Sequence, residues 1–191
     1  MKFMLAAVSV AALVSGCAVN STVPEGYAGP TARIADSENV SSDRKADFFF
    51  VAAIDGKKVA NALDQTIRAN QGRGLSMEVK GGERPVVVRE THFHIVGQTH
   101  YAAPVLALGG TSYYIEGDVT FTPVADQNYV VKGSLGPDYS AVWIETKESG
   151  RQVGNKLLIK GESGQGRAVT LLLGPGASGS KHPEEIPPPS P

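Results

Sequence analysis

Residues 111–121 read TSYYIEGDVTF, and their alternation decides the fold class. Tyr113, Ile115, Val119 and Phe121 share one parity; Ser112, Tyr114, Glu116, Asp118 and Thr120 share the other. A period of two with one apolar side predicts a half-buried strand whose other side is wet. Comparable segments follow at Asn128 to Leu135 (NYVVKGSL), Tyr139 to Thr146 (YSAVWIET), Lys156 to Lys160 (KLLIK) and Ala168 to Leu173 (AVTLLL). Strands recurring every ~8–12 residues with turn signals between them suit a sandwich or barrel.

Upstream, Thr31 to Asp36 is a first candidate strand, and ADFFFVAAI (46–54) is apolar on both parities, so both its faces should be buried. Asp55-Gly56 then signals a hairpin, with Lys57-Lys58-Val59-Ala60 returning. ALDQTIRAN (62–70) is the one helical stretch: Leu63 and Ile67 lie four apart, and Gly72 and Gly74 close it. The expectation is an all-β chain, a single antiparallel β-sandwich over residues 30–173 carrying one short helix.

Ile54-Asp55-Gly56-Lys57-Lys58-Val59, then NQGRG (70–74), then a Val-rich strand after Gly81-Gly82 resemble small PEGA-like β-sandwich domains of bacterial lipoproteins. The YVVKG and AVWIE segments match the closing strands of such domains, and the likeness spans roughly residues 45–153. Gly81-Gly82-Glu83-Arg84-Pro85 stands here in place of the usual Pro-Gly. The resemblance implies a sandwich and an envelope setting, and it brings no catalytic residues with it.

The start of the chain, MKFMLAAVSVAALVSGC, points the same way. Lys2 precedes an apolar run from Phe3 to Val14, then the small residues Ser15 and Gly16, which is the pattern of a secretory signal peptide. The run is too short to span a bilayer, which takes roughly 20 residues. Cys17, the one cysteine of the chain, resembles the lipobox cysteine of bacterial lipoproteins, with Val14 where Leu is commonest. The resemblance implies cleavage before Cys17 and acyl chains on it. A single chain anchors only marginally at about 0.8 kcal/mol per methylene, so two or three are needed for a lasting hold. The plain alternative is an unmodified exported thiol, exposed to intermolecular disulfide formation. Ala18, where an aspartate would retain the protein at the inner membrane, implies the outer membrane, with the domain facing the periplasm. Residues 18–29 read as a polar tether, and residues 174–191, with six of the twelve prolines, as a disordered tail.

Few residues nominate chemistry. His92 and His94 alternate on a strand, so both rings share a face; with Glu90 they could form part of a metal site, against the plainer reading of a solvated strand face. Gly97 is expected to interrupt that strand before His100. Tyr139 and Trp143 share parity and could stack on sugar rings, or simply pack. GPGASGSK (174–181) lacks the Gly-Lys-Ser/Thr order of a phosphate loop, and GESGQG (161–166) has Gln165 where a nucleophile elbow needs Gly. A net charge of −1, with no run of Lys or Arg, argues against a nucleic-acid partner.

The reading is a lipid-anchored, non-catalytic binding or structural module without a cofactor. Its expected partners are the membrane through Cys17 and an envelope protein or cell-wall component. The alternative is a small-ligand or metal-binding lipoprotein using the His92/His94 face. Deleting residues 176–191 should leave the melting temperature nearly unchanged; a loss of many degrees in a thermal melt would mean that the tail packs on the domain.

Overall fold

A computed structural model describes residues 21–161. The signal segment, Cys17, the 168–173 strand, the proline-rich tail and most of the GESGQG stretch lie outside the described residues. Among the described residues, ten strands form two sheets facing each other. The first half of the chain supplies β1 (Thr31–Ala35), β2 (Ser37–Ser42), β3 (Lys45–Ile54), β4 (Lys57–Lys58), β5 (Glu83–Val87) and β6 (Thr91–Tyr101). The second half supplies β7 (Tyr114–Phe121), β8 (Asn128–Ser134), β9 (Tyr139–Thr146) and β10 (Gln152–Lys160). One sheet runs β10-β9-β8-β1-β5; the other runs β2-β3-β6-β7, with β4 paired to β3. The expected all-β sandwich is therefore present. It departs from a purely antiparallel one in a single pair, since β1 lies parallel to β8 with Ile34 opposite Tyr129.

The alternation in β7 works as read: Ile115 and Val119 are fully enclosed, packed with Ile34, Phe93, Ile95, Val131, Val142, Ile144 and Leu157 between the sheets. β3 is apolar on both parities because it is covered twice. Phe49 and Val51 enter that core, while Ala46, Phe48 and Phe50 lie under helix α1 (Ala62–Ala69) with Leu63, Met77 and Val96. Burying a side chain of this size stabilises by about 1.5–3 kcal/mol, so β3 contributes to two cores at once. Two glycines make room for Phe49: a Cβ on Gly133 would overlap its ring, and one on Gly97 would come 2.9 Å from Ile115 and 3.2 Å from Phe49.

Gly97 does not interrupt β6. It pairs with Phe49 and Ile115, and the strand runs unbroken from Thr91 to Tyr101, because this position faces the crowded centre of the core. Helix α1 begins with Asn61, whose side chain accepts from the Asp64 N–H at 2.9 Å while its amide donates to the Asp64 carboxylate at 3.0 Å. Its inward face is Ala62, Leu63 and Thr66; Ile67, expected to share that face, is 43% exposed. Thr66 replaces it because its buried hydroxyl accepts from the Lys80 N–H at 2.9 Å. A second short helix, α2 (Pro104–Ala107), joins β6 to β7 and was not expected.

The chain passes from one sheet to the other several times, and one crossover is a single residue. Asp36 sits between β1 of one sheet and β2 of the other. Its carboxylate is enclosed and accepts from the Val51 N–H at 3.1 Å, from the Ala62 N–H at 2.8 Å and from the Arg84 guanidinium. Gly82 closes beside it; a Cβ there would meet the Asp36 carboxylate at 2.5 Å. Burial pushes the Asp36 carboxyl above its usual range against the opposing pull of Arg84, and Arg84 Nη1 finds no protein partner among the described residues. Such a pair adds little net stability, but removing one member strands the other's charge. We expect Asp36→Ala to lower the unfolding free energy by about 3–5 kcal/mol in urea titrations, with Asp36→Ala/Arg84→Met recovering much of it. A loss below about 1 kcal/mol in the single variant would show the pair to be dispensable.

Candidate functional site

PVVVRETHFHIVG reads as one run, but the chain changes sheets within it. β5 ends at Val87, Val88 donates to the Pro30 carbonyl at 3.3 Å, and β6 starts at Thr91 in the opposite sheet. Glu90 therefore lies in the connection, exposed, and is not a member of the strand face that bears the two imidazoles. The acids that meet His94 come instead from β7: Asp118 stands opposite His94 in register and Glu116 opposite Val96.

His92 and His94 do share a face, on the outside of the sheet, with Phe93 and Ile95 buried behind them. His92 is exposed, its Nδ1 2.8 Å from the Thr120 hydroxyl. His94 is about one-third exposed and held from both sides, Nδ1 at 2.9 Å from Asp118 and Nε2 at 3.2 Å from Glu116. The Tyr114 hydroxyl donates to the same Glu116 carboxylate at 2.6 Å. A neutral imidazole has one N–H, so only the imidazolium donates to both carboxylates. Burial of the ring opposes that charge, but hydrogen bonds and attraction from Asp118 and Glu116 outweigh it and raise the His94 pKa above 6.5. Glu116 is correspondingly held below the usual carboxylate range, mainly by the Tyr114 hydroxyl and then by His94. Farther along β6, His100 is half-buried with its ring edge against Phe48 at 6.2 Å, and burial lowers its pKa.

Chemically the β6–β7 face is a chain of matched donors and acceptors. A metal at His94 would have to displace both a proton and two carboxylate contacts. Among the described residues no group of three or more His, Cys, Asp or Glu side chains is disposed to hold a metal ion.

Tyr139 and Trp143 lie on the outside of the other sheet, so they share no surface with Tyr114. Trp143 carries Lys156 over its ring, Nζ 3.9 Å from the centroid, and its indole N–H donates to Glu145 at 2.8 Å. Lys132 of β8 stands opposite it in register. Buried Ala141 separates Trp143 from Tyr139, and four strand residues put the two rings' backbones about 13 Å apart. They are two separate aromatic contacts, and Trp143 is a cation-covered one.

Two concavities stand out on the surface of the described residues. One, about 420 Å³, lies between α1 and the α2 region, beside His100 and Tyr101. The larger, about 560 Å³, lies where Ser21, Thr22 and Pro24 approach the β3–β4 hairpin. Residues 21–24 therefore belong to the domain's surface: Thr22 Oγ1 donates to the Pro85 carbonyl at the open edge of β5. The tether expected over residues 18–29 is shorter than its composition suggests, because a backbone carbonyl on an edge strand offers Thr22 a partner. Sequence reasoning did not find this cavity; its two walls are 30 residues apart, and only the turn signal at Asp55-Gly56 marked one of them.

The chain matches no family model, no curated protein and no solved structure. No helix among the described residues is long and apolar enough to cross a membrane.

The opposed shifts of two histidines on one strand are directly measurable. In an NMR titration His94 should have a midpoint above 6.5 and His100 one below it, and Asp118→Asn should bring His94 back down. Because the His94 pKa is raised on folding, its pairing contributes stability fully below about pH 6.5 and loses it as the pH rises through the folded midpoint. Coincident midpoints for the two rings would contradict the geometry.

Proposed function

We propose that this is a lipid-anchored envelope protein: a β-sandwich held at a membrane by acyl chains on Cys17 and acting as a binding or structural module without catalysis. The carrying observation is the Leu13-Val14-Ser15-Gly16-Cys17 stretch at the end of an apolar run, resembling a lipobox. The structure supports it from the other side. The first described residues, Ser21 to Pro24, already lie against the sandwich, four residues from Cys17. Four residues span at most about 14 Å, so an anchored Cys17 would hold the domain against the membrane surface.

A non-catalytic role is supported by how the polar groups are used. His94, Glu116, Asp118 and Tyr114 satisfy one another on an open strand face, and the most enclosed ion pair, Asp36–Arg84, is engaged in joining the sheets. The preferred orientation is outer membrane and periplasm, following Ala18. A small-ligand or metal role for the His92/His94 face has less to rest on, since Glu90 is not on that face and His94 is already doubly paired.

Cys17→Ser should give an uncut precursor that no longer partitions with membrane lipoproteins on cell fractionation and detergent phase separation. A variant that is processed and remains membrane-attached would overturn the anchor.

A further inference from the structure

The β3–β4 hairpin and the entering chain together form a concavity of about 560 Å³ with a divided lining. Its apolar part is Ile54, Val59 and Val87. Its polar part is the Ser21 and Thr22 positions, the Asp55–Arg89 pair at 2.5 Å, and Lys57 and Lys58. Both lysines are exposed, and neither meets a carboxylate within ion-pair distance among the described residues. Asp55 neutralises Arg89, so Lys57 and Lys58 leave two uncompensated positive charges on this rim.

The hairpin is held firmly. Asp55 and Gly56 have φ of +48° and +75°, as a two-residue turn of this kind requires. The Asp55 N–H donates to the His92 carbonyl at 2.8 Å, and the Asp55 carboxylate accepts from the His92 N–H at 3.0 Å. The lysines are therefore presented on a braced tip rather than on a loose loop.

Position gives these charges a ligand. Ser21 lines the same concavity and is four residues, at most about 14 Å of chain, from Cys17. Charges on a membrane act over roughly a Debye length, about 8–10 Å at ordinary ionic strength. A fully extended link would leave Ser21 just beyond that range and any less extended path within it, so an anchor at Cys17 brings this end of the sandwich, with Lys57 and Lys58, close to the bilayer's phosphates.

We propose that the β3–β4 hairpin, with Lys57, Lys58 and the concavity beside Ser21 and Thr22, is a binding site for the headgroup of anionic phospholipids in the membrane that carries the protein. The site rests on the anchor reading above. The lysines contact the phosphate, and the apolar lining accommodates the glycerol end of the lipid. The consequence is orientation: the hairpin end faces the bilayer, and the β6–β7 histidine face and the Trp143 face are left for other contacts.

The test uses the full mature protein purified from cells and reconstituted into vesicles of phosphatidylcholine alone or of phosphatidylcholine with phosphatidylglycerol. Amine acetylation is followed by peptide mass spectrometry, with vesicle flotation as the check on anchoring. Lys57 and Lys58 should be acetylated about five-fold more slowly on the anionic vesicles, as roughly 1 kcal/mol per lysine near an anionic surface implies. High salt should remove the protection, and Lys132 and Lys160, on the outer face of the other sheet, should label equally on both vesicles. A protein that floats with both vesicles but labels Lys57 and Lys58 at one rate overturns the headgroup site alone. A protein that floats with neither overturns the anchor, and the headgroup site with it.

Discussion

The Asp36 carboxylate is the point on which the two sheets, the helix and the hairpin all depend. The chain leaves one sheet and enters the other at this residue, so its neighbours belong to both layers. Of its partners, Arg84 belongs to β5 in one sheet, Val51 to β3 in the other, and Ala62 to the first turn of α1. Val51 and Ala62 also flank residues 52–61, which hold the end of β3, the turn and β4, so one side chain ties together the two ends of that segment. An enclosed ion pair whose Arg84 Nη1 has no partner among the described residues contributes little net free energy. What it sets is geometry, because one enclosed carboxylate holds groups from both sheets and the helix at fixed positions.

The surface divides in consequence. Helix α1 covers one part of the outer face of the β2-β3-β6-β7 sheet, over Phe48, Phe50 and Val96, and leaves the β6–β7 margin open. That margin carries His92 and His94, and it pairs His94 with Glu116 and Asp118. The opposite sheet presents Trp143 between lysines. The end where the chain enters carries Lys57 and Lys58, and it is the end that chain length ties to Cys17. On the proposed anchor at Cys17, that end would lie toward the membrane and leave the other two faces free for other contacts.

Much of this architecture was legible where each residue's local pattern agreed with its surroundings. β7 alternates because one side is core; β3 does not, because it has a core on each side; Asp55-Gly56 turns because its backbone requires positive φ. The misses have a common cause in tertiary partners that local pattern does not contain. β2, SENVSS, has no apolar alternation and is a strand only because the edge of β3 offers it pairing. The sheet change after Val87 depends on Pro30 accepting from Val88, and it is what removes Glu90 from the histidines. Thr66 rather than Ile67 faces inward because Lys80 supplies a donor 14 residues away. Of the candidate sites, the shared face of His92 and His94 followed from strand parity, whereas the carboxylates that define His94 lie on another strand. The hairpin cavity needed Ser21 and residues 54–59 to be brought to one surface, which no spacing rule encodes.

The central claim is that Cys17 is the mature, acylated first residue of a membrane-held sandwich. Mass spectrometry of the N-terminal peptide from protein purified out of its native membrane tests this most directly. The account requires a peptide beginning at Cys17 and heavier than its sequence by a diacylglycerol, with or without a further acyl chain. A peptide beginning elsewhere, or an unmodified Cys17, would contradict it.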